Sequence, residues 1–332
     1  MTMLLLWAAT AAVASATLVP LARRAAFTLG AVDVPDERHQ HGRTIARLGG
    51  LAVFGAFGLV VVILLAAGRL GDPGPAMGAR LNLPIFFASA LLVLAAGAID
   101  DVRRLRAHVK LAVEIGAALI VVYGGNIRIT GISSPGGVVE LGWLGGPFTV
   151  LWIVIVTNAI NLVDGIDGLA AGTSILALGS VAIIAHGFDL ATVAVLAAVL
   201  AGACAGFLVH NFHPATIFLG DSGSLFIGFA IGVLSSYARA KGTTGAITIA
   251  TLLIVALPLG DTLSSIGRRY FKGLAAHSLR SHLAGLGRIF TPDNNHLHHR
   301  LLRAGLGHRG ATYALYIIQA IACAYAIYLL VR

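Results

Sequence analysis

The chain has 332 residues, 11% of them charged and 58% hydrophobic, with a formal net charge of +9. A soluble chain carries about 25% charged residues, so the composition excludes a soluble enzyme, a disordered tail and a secreted disulfide scaffold. The basic excess does not point to nucleic acid, because the Lys and Arg residues fall in short stretches between apolar runs, as in a polytopic membrane protein. No nucleic-acid partner is expected; the partner implied by composition is the bilayer.

A helix crossing the hydrocarbon core needs about 20 mostly apolar residues. Read on that length, the chain gives ten candidate spans: 3–22, 49–68, 83–99, 109–124, 146–163, 169–186, 190–209, 223–239, 245–265 and 311–331. Ala14-Ser15-Ala16 in the first imitates a signal-peptide cleavage site, but no basic residue precedes it and Arg23-Arg24 follow it, the polarity of an anchor with its N-terminus outside. Every second connecting segment then faces the cytoplasm. Those segments, with Lys110 at the edge of the fourth span, hold 17 of the 23 Lys and Arg residues, as the positive-inside rule requires. Eleven of the twelve His and ten of the fourteen acids fall on the same side, while Glu114 lies within the fourth span. Residues 125–145, rich in Gly and interrupted by Pro, predict a small outside hairpin. Cys204 and Cys323 sit inside apolar runs and read as reduced thiols. The expectation is an all-α polytopic membrane protein of about ten transmembrane helices. It forms a single domain over 1–332, with a long cytoplasmic loop over 266–310 and its chemistry on the cytoplasmic face.

Four groups of polar residues carry that chemistry. Asp100-Asp101 closes the third span; an acid costs about 2.5–3.5 kcal/mol mid-span, so the pair is either a solvated pair neutralised by Arg103 and Arg104 or a magnesium- or phosphate-handling site. Asn158, Asn161, Asp164 and Asp167 recur every third residue, and in a helix they share one face ending the fifth span. A polar stripe of that kind normally lines a site. Gly220-Asp221-Ser222-Gly223-Ser224 reads as a helix start, where Asp221 is either a cap or a Mg2+ ligand beside amides that face phosphate oxygens. His296, His298 and His299, followed by Arg300, have no Cys nearby. They suit hydrogen bonding to an anionic ligand better than zinc.

Together these segments resemble the polyprenyl-phosphate N-acetylhexosamine-1-phosphate transferases (glycosyltransferase family 4), a group that includes the phospho-N-acetylmuramoyl-pentapeptide translocases. Asp33-Val-Pro35 to His41 with Arg47-Leu-Gly49-Gly50 matches the first cytoplasmic loop, Asp100-Asp101 the paired aspartates, and Asn158 to Leu169 the Asn-rich segment. Phe218 to Gly228 matches the GDSGS segment, and His296-Leu-His298-His299 the terminal histidine motif. The His-X-His-His form is that of the branch transferring GlcNAc-1-phosphate rather than the muramoyl-pentapeptide branch, which is the alternative. His39 in place of the common Lys, Ala46 in place of Pro, and residues 274–286, which resemble an insertion, depart from the pattern.

The resemblance implies transfer of an amino-sugar-1-phosphate from a UDP-sugar to a polyprenyl phosphate, releasing UMP. This would start a cell-envelope glycan such as cell-wall polymer or lipopolysaccharide in the bacterial inner (cytoplasmic) membrane. It also implies a Mg2+ cofactor, with Mn2+ as substitute, and a homodimer. Asp221, with Asp100 and Asp101, is the expected metal set. His296, His298, His299, Asp164 and Asp167 are expected at the reacting groups, and Arg47, Asn158, Asn161, Asn211 and Arg300 on substrate. The lipid phosphate, whose second pKa lies near 6, is mostly dianionic at neutral pH. An ordinary Asp near 3.9 is a poor base for it, so metal coordination and positioning rank above proton abstraction for the Asp pair. The rival from another class is a polytopic ion transporter, which would place its acids near mid-bilayer.

Overall fold

The computed structural model describes residues 1–34, 44–70, 81–134, 137–240, 252–274 and 297–331. It is a bundle of helices: α1 (Thr2–Leu29), α2 (Gly49–Ala66), α3 (Leu83–Arg103), α4 (Ala107–Leu119), α5 (Gly145–Val163), α6 (Leu169–Gly187), α7 (Ala191–Asn211), α8 (Gly220–Ala240), α9 (Ala256–Leu274), the short α10 (Leu297–Arg303) and α11 (His308–Val331). Among the described residues, eight helices are long and apolar enough to cross a membrane: α1 to α7, with α4 extended to Gly124, and α11. The predicted eighth span is occupied by α8, and the predicted ninth lies partly outside the described residues.

Helix α8 is the axis of the bundle, packed between α3 and α5 and buried from Ser222 to Tyr237. Small residues make such close packing feasible where lipid removes the hydrophobic drive between helices. On α7, a Cβ at Gly202 or Gly206 would run into the backbone carbonyls of Ala8 and Ala12 on α1, so these two glycines let α1 lie directly on α7. The aromatic core is a cluster of Phe54, Phe57, Phe86, Phe87 and Phe226, with Phe54 and Phe226 edge to face at 5.1 Å.

Two small ribbons flank the bundle. The expected hairpin is present, β3 (Gly131–Ser134) pairing antiparallel with β4 (Gly137–Glu140). At the other end, β1 (Val32–Asp33) pairs with β2 (Ile45–Ala46), and Ala46 bridges Ile217 in parallel. Phe218 N–H donates to Ala46 O (2.8 Å), Gly49 N–H to Phe218 O (3.0 Å) and Gly50 N–H to Leu219 O (2.9 Å). This seam ties the loop before α2 to the loop before α8 and sets Arg47 over the start of α8.

Candidate active site

The ends of α3, α5 and α7 and the starts of α4, α8 and α11 meet at one end of the bundle. Helix α8 begins at Gly220, whose φ of +75° suits glycine, and a Cβ there would strike the backbone oxygen of Arg47. The first turn of a helix leaves amides without partners, and Asp101 supplies them. Its Oδ1 accepts from Asp221 N–H (2.9 Å) and its Oδ2 from Ser222 N–H (3.0 Å). Arg47 Nε stands 3.8 Å from the same carboxylate, and Arg47 also reaches Asp33 at 3.9 Å. Asp101 is thus buried and engaged on both oxygens.

Asp100, one residue earlier, faces differently. Its Oδ1 accepts from Leu105 N–H (2.5 Å), and its Oδ2 lies 3.1 Å from Lys110 Nζ. The same ammonium lies 2.6 Å from Asp221 Oδ2. Two carboxylates from different helices therefore converge on one cation, and the partners of the Asp pair are Lys110 and Arg47 rather than the adjacent Arg103 and Arg104.

Helix α5 ends at Val163, with Asp164 as its non-helical cap, so the four-residue stripe divides. Asn158 donates to Glu114 Oε2 on α4 and to Val154 O, and Asn161 Nδ2 donates to Ser224 Oγ (2.8 Å). Asp164 opens into a cleft of about 210 Å3, lined also by Asp33, Arg47, Gly165, Asp167, Asn211, Phe218 and His308. Burial pushes the Asp164 carboxyl up to about 7; Asp221, Asp101 and Asp167 add to the shift and Arg47 opposes it. Asp167 leaves the stripe to hold the α7–α8 loop, its Oδ2 2.7 Å from His213 Nδ1 and accepting from Ala215 N–H (3.1 Å). Asn211 is buried and structural in its contacts, donating to Ile217 O (2.9 Å) and accepting from Gly168 N–H (3.1 Å).

The histidine motif is only partly described. His296 lies outside the described residues, as does the side chain of His298; His299 is half-buried and Arg300 exposed on α10. Asp261 Oδ1 accepts from Leu297 N–H (2.7 Å), and Leu297 and Leu301 pack on Val163, Ile166 and Leu169, which seats α10 on the turn carrying Asp164.

Residues 83–239, from α3 to α8, match the family model described as glycosyl transferase family 4. A probable undecaprenyl-phosphate N-acetylglucosaminyl 1-phosphate transferase of Bacillus subtilis is 36% identical over 91% of this chain and 78% of its own length. The chain belongs to glycosyl transferase family 4. Within the family, a decaprenyl-phosphate N-acetylglucosaminephosphotransferase of Mycolicibacterium smegmatis is 35% identical over 88% of this chain and 73% of the relative. A phospho-N-acetylmuramoyl-pentapeptide-transferase of Oceanobacillus iheyensis is 31% identical over 79% of this chain and 83% of the relative. This family 4 chain is therefore more similar to the N-acetylglucosamine branch than to the muramoyl-pentapeptide one.

The structure also brings in residues that sequence reading passed over. Lys110 was one cation among seventeen, and ten residues separate it from Asp100, so no short motif marks it. His213 and His308 stack at 4.9 Å beside Asp167, and Arg309 donates to His213 O (3.1 Å). Their positions depend on a tertiary contact between the α7–α8 loop and α11. Glu114 did carry a signal, as an acid well inside the fourth predicted span.

Proposed function

We propose that this chain transfers N-acetylglucosamine-1-phosphate, or a close amino-sugar analogue, from its UDP-sugar to a polyprenyl phosphate at the cytoplasmic face of a bacterial inner membrane. The observation that carries the reading is the convergence of Asp100 and Asp221 on one cation beside the cleft of Arg47 and Asp164, in a chain whose relatives are named for that transfer.

An oxygen of the lipid phosphate forms a bond to the β-phosphorus of the UDP-sugar as the bond from that phosphorus to UMP breaks. Both partners are anions, so the site must offset their repulsion. The donor set fits Mg2+, which takes one or two carboxylates together with substrate phosphate oxygens; Asp221 and Asp100, whose carboxylates already converge on a cation, are the residues that would hold it. When bound, Mg2+ supplies neutralising charge and polarises phosphoryl oxygens.

The protein's own groups do the rest. Arg47, pinned by the seam to α8, and Lys110 offer positive charge to phosphate oxygens. Asp101 holds the first amides of α8 in line, and with both its oxygens engaged it is a positioning group. Asp164 borders the cleft, which would take the nucleotide, and Asn161 holds Ser224 at the start of α8. His299 and Arg300, on α10, would meet the pyrophosphate, the role that the resemblance gives to the whole histidine motif.

The test incubates membranes containing the chain with labelled UDP-GlcNAc, polyprenyl phosphate and Mg2+. Formation of a butanol-extractable labelled lipid with release of UMP is expected. No labelled lipid, or labelling only from the UDP-muramoyl-pentapeptide donor, would overturn the reading.

A further inference from the structure

Glu114 is 3% exposed in the middle of a membrane-crossing helix, and none of the roles above uses it. An ionisable residue at that depth is costly and faces a partner inside the bundle when it is kept. The partner is Asn158, whose amide nitrogen donates to Glu114 Oε2 and also to Val154 O (2.9 Å). An Asn side chain has two N–H donors and one carbonyl acceptor. With both hydrogens directed onto protein oxygens, Oδ1 is what remains to offer. The pair lies directly under the charged cluster. Lys110 is one turn before Glu114 on α4, and Asn161 is one turn after Asn158 on α5, bonded to Ser224 at the start of α8.

We propose that Glu114 is a positioning residue that fixes the amide of Asn158 with its NH2 turned to α4. Asn158 then meets a ligand only as a hydrogen-bond acceptor. The ligand group it takes is electropositive, an N–H or O–H of the amino sugar or a divalent cation. This rests on the transfer reaction proposed above.

The experiment compares E114Q, E114L, N158L and E114L/N158L with the wild type, measuring transfer, melting temperature in detergent, and titration of UDP-GlcNAc and of Mn2+. Gln keeps an acceptor for the Asn158 amide, so E114Q should stay within about threefold of wild-type kcat/KM, whereas E114L should lose about tenfold or more, a loss of transition-state stabilisation. Because Glu114 acts through Asn158, E114L should cost little further activity in the N158L background. The double apolar variant leaves no buried polar group unmatched and should recover the melting temperature without recovering transfer.

Weaker UDP-GlcNAc binding with unchanged Mn2+ binding assigns the sugar as the ligand, and weaker Mn2+ binding assigns the cation. Three results would overturn the proposal: E114L active with only its melting temperature lowered, E114Q as impaired as E114L, or a full additional loss in the double variant. If the wild type makes no labelled lipid, the transfer reading fails by itself. The titrations on the same four variants then still decide the role of Glu114, unchanged binding throughout counting against it.

Discussion

Adjacent aspartates at the end of α3 have separate work, and substitution should separate them. Asp101 accepts two amides of the first turn of α8; losing a helix cap costs about 0.5–2 kcal/mol, so Asp101→Ala should lower the melting temperature in detergent as well as the activity. Asp100→Ala, which releases Lys110 and Leu105 N–H from a partly exposed carboxylate, should abolish transfer with a much smaller change in melting temperature. Equal thermal losses in the two variants would contradict the division. Asp164 gives a pH signature. Its folded pKa, about 7, is above the ordinary 3.8, so between those values the native state holds a proton that the unfolded chain has released. Stability therefore falls as pH rises from about 4 to 7 and stays lower above it. Asp164→Asn removes that dependence. Thermal melts should find the variant more stable than wild type above pH 7, with the difference closing towards pH 4.

At the scale of elements, what the sequence made legible was what depends on local pattern. Apolar length located α1 to α8 and α11, and the Gly-rich stretch at 125–145 located the hairpin β3–β4. Spacing by threes found Asn158 and Asn161, yet it ran past the break at Asp164, because nothing in the period says where a helix stops once Gly165 and Gly168 follow. Lys110 and His213 were illegible for a different reason: each meets a partner, Asp221 or Asp167, that is distant in the chain and is brought close only by tertiary packing. That packing depends on small residues. At Gly206, a Cβ would meet the carbonyl of Ala12, and overpacking a tight contact costs about 1–3 kcal/mol. Gly206→Leu should therefore lower the melting temperature by separating α1 from α7, while Gly179→Leu, at a position open to solvent or lipid, should leave it nearly unchanged.

For the whole molecule, the scarce charge sorts by position. Asp33, Arg47, Asp100, Asp101, Lys110, Asp164, Asp167 and Asp221 come from five separate stretches of chain and gather at one end of the bundle. The opposite end carries the hairpin and the exposed Trp143, 82% accessible, an aromatic suited to the membrane–water interface. The proposed anionic substrates and divalent cation would meet where that charge is, so orientation decides which compartment would supply them. Both native thiols, Cys204 and Cys323, are buried, which leaves the wild type a quiet background for labelling. A membrane-impermeant maleimide applied to intact cells should label Trp143→Cys, and should label Arg300→Cys only after the membrane is permeabilised. The reverse pattern would place the site on the outer face and remove a cytoplasmic UDP-sugar as its substrate.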